Sequence, residues 1–383
     1  MNWNRPKTAL LALAAAAVLA ACGGGSGETA DLTPKVNIRS VKVFGDSLQD
    51  SGTFGLKFTV QGTDSQLYVE RIAALYGQSL CNFYVFTGVT FAPNPRAGCT
   101  NFSIGGGRVN YTGAGASPAN PLNITTQLAT YASLGSYNAN DLVIVDGGGN
   151  DAADLVGAFL TASADRGASF TALLGTVLPR DVLTSALATG AAGFPQAGGI
   201  FMQALADRYY DSIKTNVLDK GAVQVVVMNL PAITNTPRFQ LVLDSIAASG
   251  SGAAGRAQAE GLFRAWVGAF NSRLAVRVGN DARIALIDFA KSFDDQVANP
   301  AQYGLTNVKT PACPATGRGA DGLPEYNFAT CTATALSAAP PSGQTGPNWW
   351  RTYAFSDGFH PTPYGHQLTA QLISQELAKK GWL

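Results

Sequence analysis

The chain predicts an α/β fold, a doubly wound sandwich with a central parallel sheet and long loop insertions around one end of it. Three observations carry that expectation. Residues 41–44, 142–145, 223–229 and 284–287 are short, mostly apolar runs rich in Val and Ile, as strands covered on both faces require. Helical stretches lie between them, the order that builds parallel sheets. Ser47 and Asn150 each stand just past the end of such a run, where open α/β sheets place their ligands.

Taken in chain order, the N-terminus reads as an address. Arg5 and Lys7 precede an apolar stretch at 9–21, too short to span a bilayer and laid out as a secretory signal. The stretch ends in Leu19-Ala20-Ala21-Cys22, which resembles a bacterial lipoprotein signal. That resemblance implies removal of residues 1–21, lipidation of Cys22 and, with Gly23 following it, the outer membrane. An ordinary signal peptide cut nearby, with Cys22 incidental, is the alternative. Several acyl chains on one cysteine would hold the protein stably on a membrane surface, and residues 22–35, glycine-rich at their start, would form a flexible tether.

Residues 36–383 then form one domain. The clearest helix places Leu262, Trp266, Phe270 and Leu274 at four-residue intervals, with Phe263 and Val267 alongside, giving one broad apolar stripe. A last helix follows Pro363 and buries Leu368, Leu372 and Ile373. Residues 105–121, 152–199 and 307–348 read as insertions around the rim, the middle one partly helical and the last too long for a plain connection. Gly250-Ser251-Gly252-Ala253-Ala254-Gly255 matches a dinucleotide-binding fingerprint, but it follows a helical stretch instead of the first strand and reads as a linker.

Composition narrows the partners and the compartment. With 46% hydrophobic residues, 26 basic against 25 acidic side chains and only 13% charged, the chain can bury a large core and lacks the basic excess of a nucleic-acid binder. Five cysteines are odd in number; assigning Cys22 to lipid leaves Cys81 near Cys99 and Cys313 near Cys331, the number that two disulfides need. The spacing leaves other pairings open. No Cys-x-x-Cys or nearby His suggests zinc.

The chemistry concentrates in four short blocks. Ser47 lies in Gly45-Asp46-Ser47-Leu48 at a strand end, and a serine nucleophile needs a base, a group to orient the base, and donors for the developing negative charge. Only two histidines exist, at 360 and 366. His360 follows Asp357 by three residues, so Asp357 can orient the imidazole as base; His366, at the start of the last helix, reads as structural. Gly148-Gly149-Asn150 after a buried strand can aim the Asn150 amide at an oxyanion, and Gly105-Gly106-Gly107 can present a backbone N–H. Ser47 could instead cap a helix beginning near Leu48. Asp46, Asp50 and Asp151 read as loop-holding residues. Asp146, Asp151 and Asp154 lack EF-hand spacing, so no metal is expected. No Gly-x-Ser-x-Gly elbow and no P-loop occur, and no cofactor is expected.

These blocks together resemble the GDSL, or SGNH, hydrolase family: Phe44 to Leu48 with Asp50 and Gly52, Asn101 to Gly106, Gly148 to Asp151, and Asp357 to His360 before Pro361. They occur in order along nearly the whole mature chain. The resemblance implies a flavodoxin-like α/β/α sandwich, Ser47 as nucleophile, Asp357 and His360 completing a triad, and an oxyanion hole of the Ser47 N–H, Gly106 and Asn150. Slippage by one position would exchange Gly106 for Gly105. The expected activity is hydrolysis of carboxylic esters through an acyl-enzyme. Lipid-like esters lead, because the rim is rich in Phe83, Tyr84, Phe86 and Phe91 and the protein is expected at a membrane. Carbohydrate deacetylation or acyl transfer at the same site is an alternative, and so is a surface lipoprotein that binds without turnover.

Overall fold

The computed structural model describes residues 36–383; the expected leader, the Cys22 lipidation site and the tether lie outside the described residues. The described chain opens on β1 (Ser40–Phe44) and continues through α1 (Tyr68–Leu75), β2 (Tyr84–Phe86), β3 (Phe91–Pro93), α2 (Ile124–Leu134) and β4 (Asp141–Val145). Four helices follow: α3 (Gly149–Thr161), α4 (Ala168–Leu174), α5 (Arg180–Ala186) and α6 (Phe194–Asn216). Next come β5 (Gln224–Met228), α7 (Pro237–Ile246), α8 (Gly252–Val278), β6 (Ile284–Ile287) and α9 (Phe289–Ala298). The last part holds the short pair β7 (Gly317–Arg318) and β8 (Pro324–Glu325), α10 (Ala333–Ala338) and α11 (Pro363–Lys379).

The four strands read from the sequence form one parallel sheet in the order β1-β4-β5-β6. Outside β1, Val43 N–H donates to the Thr100 carbonyl and Phe102 N–H to the Val43 carbonyl. Residues 100–102 thereby occupy the place of a fifth, edge strand, and the order becomes 2-1-3-4-5, that of flavodoxin-like sheets.

Alternation along the strands splits the core into two layers. Val43, Ile144 and Val226 face a layer with Leu67, Ile72, Phe293, Ile373 and Leu377, carried by α1, α9, α11 and their approaches. Phe44, Val143, Val145, Val225 and Val227 face a layer with Leu155, Phe201, Leu205, Phe263 and Phe270 from α3, α6 and α8. Helices on both faces explain why the strands read as unbroken apolar runs. The insertion after β6 shares a small core with the segment between β1 and α1, around Val60, Phe328, Trp349, Trp350 and Tyr353.

Two stretches differ from the expectation. Residues 152–199 are mostly helical, because α6 packs against α8 through small residues: a Cβ on Gly198 would come within 2.4 Å of the Trp266 ring. The glycine motif at 250–255 is a linker only at its start. Gly250, at φ 99°, breaks the path out of α7, and α8 already begins at Gly252. Helix continues because the Ala-rich residues after Gly252 favour it.

Both expected disulfides are present, Cys81–Cys99 and Cys313–Cys331, each closing a separation of 18 residues. In the chain-entropy model each contributes roughly 3 kcal/mol by restricting the unfolded chain. One closes the loop bearing β2 and β3; the other closes the loop bearing β7 and β8. No helix among the described residues is long and apolar enough to cross a membrane.

Candidate active site

The β1 strand delivers its chain into a tight turn, not a helix. Asp46 Oδ1 accepts from Leu48 N–H at 3.0 Å and Gln49 N–H reaches the Asp46 carbonyl at 3.3 Å, while the next helix begins only at Tyr68. Ser47 therefore caps no helix, and the side chain that shapes this turn is Asp46. The Ser47 N–H donates to no acceptor among the described residues.

The second half of the site comes from a turn just before α11. Asp357 Oδ1 accepts from the Phe359 N–H at 2.8 Å and the His360 N–H at 2.7 Å, and Ser356 N–H closes the turn on the His360 carbonyl at 2.7 Å. This geometry leaves Asp357 Oδ2 for His360 Nδ1, 2.8 Å away. On the other side of the ring, Nε2 stands 2.8 Å from Ser47 Oγ. Residues 313 positions apart in sequence thus meet in one hydrogen-bonded row. Phe58 and Phe328 flank the imidazole, with ring centroids 5.3 and 5.5 Å from its own.

Charge follows from these contacts. Burial alone would raise the Asp357 pKa, but the His360 charge, its hydrogen bond and the two backbone N–H groups hold the carboxyl below the usual range. For His360, burial opposes the charged ring; the Asp357 charge and hydrogen bond outweigh it and raise the imidazole above the ordinary histidine value. His366 takes no part in the row. It is buried, accepts from Tyr68 N–H at 3.4 Å and stacks on that ring, and burial lowers its pKa to about 3, so it stays neutral.

Backbone donors converge from two glycine turns. Asp50 Oδ1 accepts from Gly52 and Thr53, and its Oδ2 takes the Gly105 N–H at 2.7 Å. Gly107 N–H turns back to the Ile104 carbonyl at 2.9 Å. Gly106 lies between them at φ 81°, a conformation that favours glycine, and its N–H meets no acceptor among the described residues. The loop is held close: a Cβ on Gly107 would lie 2.7 Å from the Gly45 carbonyl oxygen.

From the end of β4, Gly148 in the left-handed region (φ 109°) turns the chain into α3, whose first turn carries Asn150 and Asp151. Asn150 Nδ2 donates to the Gly107 carbonyl at 2.9 Å and lies 3.4 Å from Asp46 Oδ2. Asp151 accepts from the Val109 and Asn110 N–H groups at 2.9 and 2.8 Å. The three carboxylates weighed as a metal set have separate partners. Asp154 pairs with Arg108 (2.5 Å), and Asp146 is buried against Gln49.

Four contributors were not apparent in the sequence. Gln49 accepts from the Asp46 N–H at 2.8 Å and donates to Asp146 Oδ2 at 2.5 Å. It ties the Asp46 backbone to the buried Asp146 carboxylate, and burial raises the pKa of both the Asp46 and the Asp146 carboxyls. Arg108 donates to the Gly106 carbonyl at 2.6 Å while Asp154 holds its guanidinium at two points, tying the glycine turn to α3. Phe58 and Phe328 come from insertions whose sequence carries no signal of proximity to His360.

A cleft of about 910 Å³ lies beside the row and reaches it at Asp357, with Phe54, Phe58, Gly106, Phe328 and Phe359 among its other walls. A second cavity of about 690 Å³ lies beyond Asn150, with Val156, Leu160, Phe239, Val242 and Leu323 in its lining. A hydroxyl, an imidazole and a carboxylate in line, beside unpaired N–H groups and apolar walls, form an arrangement suited to acyl transfer.

Comparison with known proteins agrees in kind. A family model described as GDSL-like Lipase/Acylhydrolase matches residues 41–373. The curated protein Lipase 1 of Photorhabdus luminescens is 27% identical over 363 residues, a match covering 86% of this chain and 48% of that protein. The chain thus spans about half the length of this relative.

Proposed function

Since the chain belongs to the GDSL-like lipase/acylhydrolase family, we propose that it hydrolyses carboxylic esters through an acyl-enzyme formed on Ser47. The observation that carries this reading is the placement of His360, with Nδ1 on Asp357 and Nε2 on Ser47 Oγ, both at 2.8 Å.

In this mechanism neutral His360 takes the Ser47 proton as Oγ attacks the ester carbonyl, and the imidazolium that forms is stabilised by Asp357. Negative charge develops on the carbonyl oxygen where the Ser47 and Gly106 N–H groups are free to donate. Gly106 is favoured over Gly105 because Asp50 already takes the Gly105 N–H. The Asn150 amide keeps one N–H on the Gly107 carbonyl and turns the other, only 3.4 Å from Asp46 Oδ2 in the resting site, to the oxyanion as a third donor at the N-terminal end of α3, where the helix dipole also favours negative charge. His360 then protonates the leaving alcohol, and water repeats the sequence in reverse to release the acid. The aromatic wall of Phe54, Phe58 and Phe328 favours an apolar acyl chain.

A p-nitrophenyl ester series from acetate to palmitate tests the reading: turnover is expected throughout, with kcat/KM rising beyond acetate. No turnover of any member would sink it. Asn150→Ala is expected to lower kcat by about 10²–10³ while a fluorophosphonate probe still labels the protein, as for loss of one oxyanion donor. Loss of labelling together with turnover would instead mean that the Gly107 turn depends on Asn150.

The pH profile has a definite sign. His360 must be neutral to accept a proton, and its pKa is raised, so kcat/KM should rise with pH through a midpoint above the ordinary histidine value and fall tenfold per unit below it. A rate flat between about pH 5 and 8 would remove His360 as base. Burial also raises the Asp46 carboxyl above the usual carboxylate range.

The leader and the two disulfides support export to an oxidising compartment, with the protein anchored by lipid on Cys22 at the outer membrane. Palmitate labelling in cells that is lost in Cys22→Ser is the expected result; labelling that persists would exclude acylation at that site.

A further inference from the structure

The hairpin of β2 and β3 exposes apolar side chains at its tip. Its tip, residues 86–90, is exposed throughout; Val89 is 92% exposed and Phe86 40%. Behind the tip the aromatic rings are continuous. Phe86 meets Phe91 and Phe54 at 5.3 Å each, Phe91 meets Phe54 at 5.9 Å, Phe54 meets Phe58 at 6.1 Å, and Phe58 lies 5.3 Å from the His360 ring. An unbroken apolar path therefore runs from the exposed tip to the base of the row, and Cys81–Cys99 closes the loop that bears it.

Charge around the path is distinctive too. Between Glu70 and Asp141 the sequence contains no Asp, Glu or Lys, and its only charged residues are Arg71, Arg96 and Arg108. Arg108, the only charged side chain lining the groove of about 720 Å³ beside the tip, is held at two points by Asp154, so that lining offers no unpaired charge. A surface that inserts into lipid must lack carboxylates, which are costly to bury there.

We infer that the β2–β3 tip docks on a phospholipid surface, with Val89 and Phe86 entering the head-group boundary and the aromatic path leading an acyl chain from that surface to Ser47. The contact is separate from any lipid on Cys22. The docking half stands without the esterase reading; the delivery of an acyl chain rests on it. A protein partner on this face is the competing occupant, and vesicles free of protein distinguish the two.

The experiment uses the full chain with Cys22→Ser, to remove acylation, and Ser47→Ala, to prevent turnover. Cosedimentation with vesicles of phosphatidylcholine and phosphatidylglycerol is measured. The parent should bind, Val89→Asp should bind at least about tenfold more weakly, the scale of burying one such side chain, and Val89→Trp should bind more tightly. In the Ser47-containing background Val89→Asp should hydrolyse soluble p-nitrophenyl acetate at the parental rate. Parental binding by Val89→Asp, or no binding by the parent, overturns the inference. So does an equal loss of acetate hydrolysis in Val89→Asp, which would make the tip part of the cleft. If the parent binds vesicles yet the Ser47-containing protein hydrolyses no ester, docking stands and the proposed function falls.

Discussion

Ser47→Ala is expected to abolish fluorophosphonate labelling and to lower kcat on p-nitrophenyl butyrate by about 10⁴–10⁶, the scale on which nucleophile loss acts in serine hydrolases. The size follows from what remains. With Oγ gone, His360 has no proton to accept, and any residual turnover must come from water attacking an ester held against the free Ser47 and Gly106 N–H groups. His360→Ala should cost about as much, and the double variant little more than either single one, because the two groups act as one unit. Folding should be unaffected, since among the described residues the only side-chain hydrogen bond of Ser47 is to His360. Loss of only tenfold would mean that another nucleophile serves the cleft.

How legible this was can be argued from particular elements. The four strands were readable because both faces of the sheet are covered, which forces continuous Val and Ile runs, and their observed limits lie within a residue or so of the sequence reading. The edge position at 100–102 was not readable: it is a bridge of a few hydrogen bonds, not a run. Residues 152–199 were read as only partly helical because Ala and Gly carry little periodicity; their helices are set by packing, as at Gly198 under Trp266. The Ser47 to His360 row could be assembled because only two histidines exist and one follows an aspartate by three residues. Gly105 and Gly106 could not be separated in sequence, since the distinction rests on which N–H Asp50 takes from 55 positions away. Gln49 and Arg108 escaped notice for the same reason, their partners lying 97 and 46 residues distant.

Asp357→Asn is expected to lower kcat by about 10⁴ at pH 8 with little change in melting temperature, the scale found when the orienting carboxylate of a Ser-His-Asp triad becomes an amide. The two oxygens of Asp357 have different duties. Oδ1 accepts from two backbone N–H groups and shapes the turn, whereas Oδ2 faces His360 Nδ1. An asparagine keeps the turn by giving its carbonyl oxygen to those N–H groups, which places its NH₂ against Nδ1. Nδ1 must then accept, the ring proton moves to Nε2, and Nε2 can no longer take the Ser47 proton. The imidazole also loses the charge that raised its pKa, so the residual activity should titrate at lower pH than the parent. Asp357→Ala removes the turn acceptor as well and should unfold more readily, which separates orientation of the base from support of the loop. An Asn variant within tenfold of the parent at pH 8, or one whose pH midpoint does not fall, would show that Asp357 only shapes the turn and that His360 takes its tautomer from elsewhere.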